Sequence, residues 1–441
     1  MYVAQHNAAM PMRSLMVPKR SFLSESAVAM SVLFAVRPIV FVFHAIVSQP
    51  KFPKVSMSQR SIKWLFTKLH LYAGLWFGAL FVLLGLTGSA IAWMPELDAY
   101  LNPNLLQAST PVPGQVFQVT PRTLQAVVDT LAADPAYGKP SQLNPPADAR
   151  DVYVASYRQA GKPSPFSQAI VRQVMVDPYT LQVKGERDWG RFGLTRPLLM
   201  SGMFHLHRYV LSGEVGKTIT GVSGVMLLLM ALSGIYLWWP RLHWTAIKRA
   251  LTVSHGGSWP RFHYTLHKAA GFFAAPVLAV LAFSGIYFNL PQLIVPLVDL
   301  VSTVPDTAKL KNVAQDGALL DAGQAMAAAQ RLYPQARVSR IGLPAKQDQP
   351  YEIRVRQPDE IAEGDGATRI TLDARSGLPL RIRDPLRAPA GDVFLGWQFP
   401  LHSGQAFGLA GRSFMTVFGL MPLLFLLTGS LVWWKRRRSR K

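Results

Sequence analysis

The chain has 441 residues, half of them hydrophobic, with 46 Lys+Arg against 24 Asp+Glu and a formal net charge of +22. The basic residues cluster beside long apolar runs, as in the positive-inside pattern of a membrane protein, so nucleic acid is excluded as the partner. No cysteine is present, which excludes disulfides, iron–sulfur clusters, thiolate metal sites and thioether-linked haem.

Residues 1–56 form an N-terminal extension whose apolar stretch, 28–47, is broken by Arg37-Pro38. The segment from Met57 reads as a natural start, so the extension is expected to be an over-extended start or an extra apolar segment. His6 and His44 receive no role. Residues 57–96 are a basic lead and first span, with the apolar run at 71–94. Residues 97–204 form a first α+β domain: a helix over 121–133, a strand at 151–157, and a hairpin within 169–188 that turns at Asp177. A second span (205–240, apolar from 219), a basic loop (241–262) and a third span (263–290) follow. A second α+β domain over 291–398 has a helix at 321–333, strands at 338–343 and 351–357, and a hairpin within 368–384 turning at Asp373. The fourth span, 399–434, ends in the basic tail 435–441. Each apolar run is long enough to cross a hydrocarbon core of about 30 Å as a helix. The flanking charges (Lys63, Lys68, Lys248, Arg249 and Lys435 among them) put both termini and the 241–262 loop in the cytoplasm, and both large loops outside it.

The pattern occurs twice. His70 opens LHLYAG and His267, 197 residues later, opens LHKAAG; His207 and His402, 195 residues apart, each precede a span with Trp-Trp beginning 31 residues on. Both copies begin on one side of the membrane, so the expected fold is an α-helical four-span bundle of two parallel repeats, with two extracytoplasmic α+β domains. The symmetry pairs His70 with His267 near the cytoplasmic face and His207 with His402 near the outer face. Neutral imidazole is a good axial ligand for haem iron, and an ionisable residue inside a membrane is by default a functional hypothesis. The four histidines are therefore candidate axial ligands of two non-covalent b-type haems.

Lys217 and Arg412, each ten residues after its histidine, are candidates for haem propionates, or else snorkel to the interface. His263 lies one turn before His267 and is an alternative ligand or a propionate contact. His205 is a candidate neighbour of the outer haem, proton donor or substrate contact. Arg191, Arg196 and Arg208 are candidate anion contacts or headgroup contacts. Tyr236, Trp238, Trp239, Trp433 and Trp434 are read first as interface anchors. Gly74, Gly78, Gly88, Gly234, Gly285 and Gly429 suit ordinary helix packing. His243 and His255 fall in the cytoplasmic loop. No nucleotide or flavin motif is visible, so electrons have to come from a separate donor.

LHLYAG and LHKAAG, FHLHRYVL and FPLHSG, and the span ends SGIYLWWPR and TGSLVWWKRR resemble the PepSY-associated transmembrane family, the iron-regulated membrane proteins. The resemblance covers nearly everything after Met57. It implies two PepSY-like extracytoplasmic domains and, by similarity to ferric-siderophore reductases of the ferrioxamine-utilisation type, two b-type haems between four helices. It further implies an inner-membrane enzyme that passes electrons from a quinol or a cytoplasmic reductase to a periplasmic ferric siderophore, releasing Fe(II). Two readings of the residues stay open beside it: a haem-free siderophore or iron transporter, and a haem electron-transfer protein with another periplasmic acceptor. A non-catalytic anchor leaves the matched histidines unexplained.

Overall fold

The computed structural model describes residues 59–110, 117–158, 164–240, 243–306, 308–314 and 316–439. The N-terminal extension, with His6 and His44, lies outside them, as does Arg241.

Four helical segments are long and apolar enough to cross a membrane: Arg60–Ile91, Gly213–Trp238, Trp259–Asn289 and Gln405–Arg438. Large apolar side chains on them, including Trp76, Leu229, Phe273 and Leu427, are exposed. In water such surface would be costly; against lipid tails it is the expected outer face of a bundle. The first span is α1 (Gln59–Ile91), followed by the short α2 (Met94–Leu101). The first half of the sheet domain is α3 (Pro121–Ala133) and strands β1 (Gln142–Asn144), β2 (Tyr153–Arg158), β3 (Val171–Val176) and β4 (Val183–Trp189). The chain returns through α4 (Arg196–Tyr209) to the second span, α5 (Gly213–Trp238). A connecting helix α6 (Trp244–Leu251) leads to the third span, α7 (Trp259–Asn289), and then to α8 (Pro291–Asp299). The second half of the sheet domain is α9 (Ala322–Leu332) with β5 (Arg337–Gly342), β6 (Tyr351–Arg356), β7 (Thr368–Leu372) and β8 (Pro379–Arg383). Helix α10 (Ala390–Ser403) returns to the bundle, where α11 (Gly408–Phe418) and α12 (Met421–Arg438) make the fourth span.

Each expected α+β half is present as a helix and four strands, and the two meet edge to edge in one antiparallel eight-stranded sheet, ordered β4-β3-β2-β1-β5-β6-β7-β8. They join where β1 pairs with β5, Gln142 opposite Gly342 and Leu143 opposite Ile341. Helices α3 and α9 lie side by side on one face. Leu124, Val127 and Leu131 of α3 and Ala325, Met326 and Ala329 of α9 are buried in a single core with Tyr153, Tyr351, Ile353 and Ile370. The helices are also tied together: Gln125 Oε1 accepts from the backbone N–H groups of Ala322 and Gly323, supplying partners that a helix start otherwise lacks. Strand β1 was not foreseen, because three residues are too few to show a period.

Both hairpins turn at the expected aspartates. Asp177 accepts from the N–H groups of Tyr179, Thr180 and Ser109; Asp373 accepts from those of Arg375, Ser376, Val313 and Ala314. Each side chain closes its own turn and clamps an incoming segment.

The second and fourth spans differ from expectation at their sheet ends. Between α4 and α5 the chain breaks at Val210 and Leu211, which take φ of 45° and 54°, so His207 sits on a separate helix. Left-handed conformations at these bulky residues cost on the order of 1–3 kcal/mol each. His402 likewise sits on α10, ahead of the fourth span.

In the bundle, α5 and α12 each pack against both α1 and α7. Helices α1 and α7 therefore hold opposite corners, with the bundle interior between them. The glycines permit close approach: a Cβ on Gly85 would lie 2.2 Å from the carbonyl oxygen of Gly419, between α11 and α12, and one on Gly78 would meet Leu426 of α12 at 2.6 Å.

Candidate functional site

Two pairs of imidazoles face one another. His70 of α1 and His267 of α7 have ring centres 6.5 Å apart, at an interplanar angle of 81°. His207 of α4 and His402 of α10 have centres 6.2 Å apart, at 70°. The pairing is the one symmetry predicts. Thr87, which contacts His207, lies 17 residues beyond His70 on α1, a rise of about 25 Å. One pair thus lies at the sheet end of the bundle and the other at the far end.

Each ring is held by a hydroxyl from a neighbouring span. His70 Nδ1 lies 3.0 Å from Ser233 Oγ on α5, and His267 Nδ1 lies 2.8 Å from Thr428 Oγ1 on α12. His402 Nδ1 lies 2.6 Å from Ser284 Oγ on α7. His207 Nδ1 has two partners, the Leu84 carbonyl at 2.9 Å and Thr87 Oγ1 at 3.2 Å.

The direction of these bonds follows from where the hydroxyl protons go. Thr87 donates to the Leu83 carbonyl, Ser233 to Met230, Ser284 to Val280 and Thr428 to Leu424, each within its own helix. A hydroxyl has one proton, so toward the imidazole each of these oxygens accepts. With the hydroxyl protons assigned in this way, the proton of each ring falls on Nδ1 and the lone pair on Nε2. None of the four Nε2 atoms bonds to a described residue.

This is the arrangement that a metal-ligating histidine requires, with the second nitrogen donating to an orienting group. The spacing agrees as well. Metal–nitrogen bonds of about 2.0 Å, plus about 1.1 Å from each nitrogen to its ring centre, put two rings sharing one ion about 6.2 Å apart. The donor set, neutral and apolar-flanked, suits haem iron rather than a hard divalent ion. Among the described residues no group of three or more His, Cys, Asp or Glu could hold a bare metal ion. The residues present fit a haem at each level, which His70 and His267, and His207 and His402, would hold.

The orienting hydroxyls escaped the sequence reading, although their signal was there. Thr87 and Ser284 are 197 residues apart and Ser233 and Thr428 are 195 apart, the same offsets as the histidines. Each precedes one of the repeated glycines, and all of these but Gly285 have a histidine ring within 4 Å of where a Cβ would stand. A Cβ on Gly88 would come within 2.9 Å of His207 Cε1, and one on Gly234 within 3.3 Å of His70 Cε1. The ring lies flush against helix backbone because nothing projects there.

The remaining candidates fall elsewhere. Arg412 is corrected: it makes a two-pronged bond to Glu96 at 2.7 Å, reaches the Ala92 carbonyl and lies over Trp93. Its bond to Glu96 holds that carboxyl below the usual range, so Arg412 is committed to protein and not to a propionate. Lys217 pairs with Glu214 at 3.2 Å on the surface, a contact of about 0.3–0.5 kcal/mol that does not tie up the ammonium. His263 is not the partner of His70. Its ring sits against Trp259 and Phe262, and neither nitrogen has a partner among the described residues. His205 is buried, its Nδ1 donating to the Ser201 carbonyl at 2.8 Å, with its ring between Trp189 of the sheet and Tyr209. It joins the sheet to α4 and does not face the paired rings.

Arg191 pairs with Asp188. Arg208 lies over Tyr209 with its Nε buried and unpartnered among the described residues. Trp238 is no interface anchor: it is buried and stacks on Phe272 at 4.0 Å, whereas Tyr236, Trp239 and Trp434 are exposed as anchors should be.

A four-span helical bundle carrying one extended sheet defines a membrane protein, here with facing histidines at two levels. Residues 67–436 match the model of the PepSY-associated TM region, and the chain belongs to that family. No curated protein matches it in sequence.

Proposed function

We propose that this protein is an inner-membrane, haem-dependent oxidoreductase built from two parallel repeats, which passes electrons outward to reduce a periplasmic ferric siderophore. The supporting observation is the pair of facing histidines at each level, every one with its Nδ1 engaged and its Nε2 bonded to none of the described residues. Bound there, two b-type haems would supply one-electron carriers near the two faces of the bilayer.

The chain's own residues do the rest. His70 and His267 would hold the cofactor on the cytoplasmic side, and His207 and His402 the one on the periplasmic side. Ser233, Thr428, Thr87 and Ser284 orient the rings and limit their movement when charge changes. The apolar helices exclude water from the histidines, and Lys217 remains available to a propionate. The sheet, on the periplasmic side in this orientation, covers the end of the bundle where substrate has to arrive. Reduction to Fe(II) weakens a hard-oxygen chelate and frees the iron. A membrane quinol or a soluble cytoplasmic reductase would serve as donor.

The test is a reduced-minus-oxidised absorption spectrum of detergent-purified protein, with haem quantified per chain. Two low-spin b-type haems are expected, with His70→Ala and His402→Ala each perturbing a different one. Well-folded protein that stays haem-free when haem is supplied would defeat the proposal and favour a haem-free transporter.

A further inference from the structure

The sheet has two faces, and only one is covered by α3 and α9. The other looks toward the end of the bundle. Arg187 of β4 reaches from it to Asp98 of α2 at 2.8 Å, Trp189 meets Phe204 of α4, and Arg383 of β8 bonds Asp392 at the start of α10.

On the second half of this face the strand register sets four arginines directly opposite one another. Arg340 of β5 faces Arg354 of β6, Arg354 faces Arg369 of β7, and Arg369 faces Arg383 of β8. Like charges directly opposite across strands destabilise a sheet. The corresponding row of the first half reads Gln142, Ser156, Gln173 and Arg187, so the architecture does not demand arginine there.

Among the described residues only the ends of the row are neutralised, Arg340 by Asp365 and Arg383 by Asp392. The middle pair, Arg354 and Arg369, has no carboxylate in salt-bridge contact among the described residues. Arg340 Nε is buried without a partner among them. Glu352, two residues along β6 from Arg354, accepts from Thr371 instead. Burial and the facing Arg369 and Arg340 guanidiniums press Arg354 down to about 10, which expresses an unmet demand for negative charge.

The row also lies beside the candidate site. Arg369, Arg383 and Asp392 are close enough to act electrostatically on Tyr287 at the sheet end of α7. Tyr287 neighbours Phe288, whose ring is 5.4 Å from that of His402.

We propose that Arg354 and Arg369, flanked by Arg340 and Arg383, form a binding site for a compact polyanionic metal chelate held between the sheet and the bundle. Adjacent strands are about 4.8 Å apart, so the row spans roughly 14 Å. A single phosphate answers one guanidinium fork; a chelate carrying several carboxylate or catecholate oxygens answers two or more. The inference deepens the reductase reading by giving its substrate a charge. That the cargo is to be reduced rests on that reading, while the anion site does not.

The test uses gallium(III) citrate, a redox-inert stand-in, titrated calorimetrically into the full-length protein in detergent. Salt-sensitive binding is expected. Arg354→Gln and Arg369→Gln should each weaken it roughly tenfold or more, while Arg172→Gln, on the helix-covered face, should not. Haem content and spectrum should be unchanged in all three. The proposal is overturned if wild-type protein does not bind, if the two variants bind as well as wild type, or if free citrate binds as tightly as its gallium complex. It is equally overturned if the two variants lose haem, because the row would then serve the cofactor's carboxylates. Wild-type protein without haem that still binds through these arginines would sink the reductase reading and leave the anion site standing.

Discussion

Thr428→Val and Thr87→Val are the same substitution, conserving volume and removing one hydroxyl, yet the structure predicts different outcomes. Thr428 Oγ1 is the acceptor for His267 Nδ1, at 2.8 Å, and is buried. Thr87 Oγ1 stands 3.2 Å from His207 Nδ1, but the Leu84 carbonyl accepts from the same nitrogen at 2.9 Å. Valine at 428 therefore leaves a buried N–H without an acceptor, at a cost of about 1–3 kcal/mol. That range agrees with the 10–100-fold loss of affinity typical when a ligand's orienting partner is removed, about 1.4–2.7 kcal/mol. Valine at 87 leaves the carbonyl in place and should cost less than about tenfold. On the proposed function, the assay is transfer of haem from purified protein to an excess of apo-myoglobin, followed spectrally so that the two proposed haems are resolved. Faster loss of one haem in Thr428→Val, with near-normal retention of both in Thr87→Val, is the expected result. Equal effects, or none in Thr428→Val, would refute the argument that these hydroxyls fix the rings.

Gly88→Ala should displace His207, since the new Cβ would lie 2.9 Å from its ring, whereas Gly285→Ala, with nothing within 4 Å, should be tolerated; the spectral signature of the sheet-end haem reads the difference, against an overpacking cost of about 1–3 kcal/mol. Asp98→Ala should destabilise the protein by about 3–5 kcal/mol by leaving buried Arg187 unpaired, and Asp98→Leu combined with Arg187→Met should recover most of it in thermal unfolding. Burial works to raise the Asp373 carboxyl, but N–H groups of Ser376, Ala314, Arg375 and Val313 hold it far below the usual range. A depressed folded-state value stabilises above the unfolded value of about 3.9 and is lost as pH falls through the folded value. Asp373→Asn should thus be less stable at pH 7 and show a flatter decline of stability between about pH 5 and pH 2; an unchanged acid limb would contradict this.

Much of the architecture was legible because it is written in local patterns. Apolar runs mark the spans, period-two alternation marks the strands, and Asp177 and Asp373 mark the hairpins. The histidines stood out because a repeat lets the chain be compared with itself: one imidazole near a helix end is ambiguous, two at a constant offset are not. The same comparison would have found Thr87, Ser233, Ser284 and Thr428, but hydroxyls are common in helices and carry no charge to draw the eye.

What a single segment's pattern cannot hold is the identity of its partner across space. That β1 would pair with β5 and merge two domains into one sheet depends on three-residue edges meeting. That Arg412 would be taken by Glu96 and Trp238 by Phe272 depends on which helix faces lie together. The arginine row is the clearest case. Arg340, Arg354, Arg369 and Arg383 are unremarkable along the chain, and only the strand register sets them opposite one another. The sequence by itself determined a membrane bundle with histidines at two levels, because hydrophobic period and repeat offset are one-dimensional. Only the tertiary structure decided how each imidazole is oriented and where positive charge accumulates, because hydrogen bonds and Coulomb forces act over a few ångströms between residues far apart in the chain.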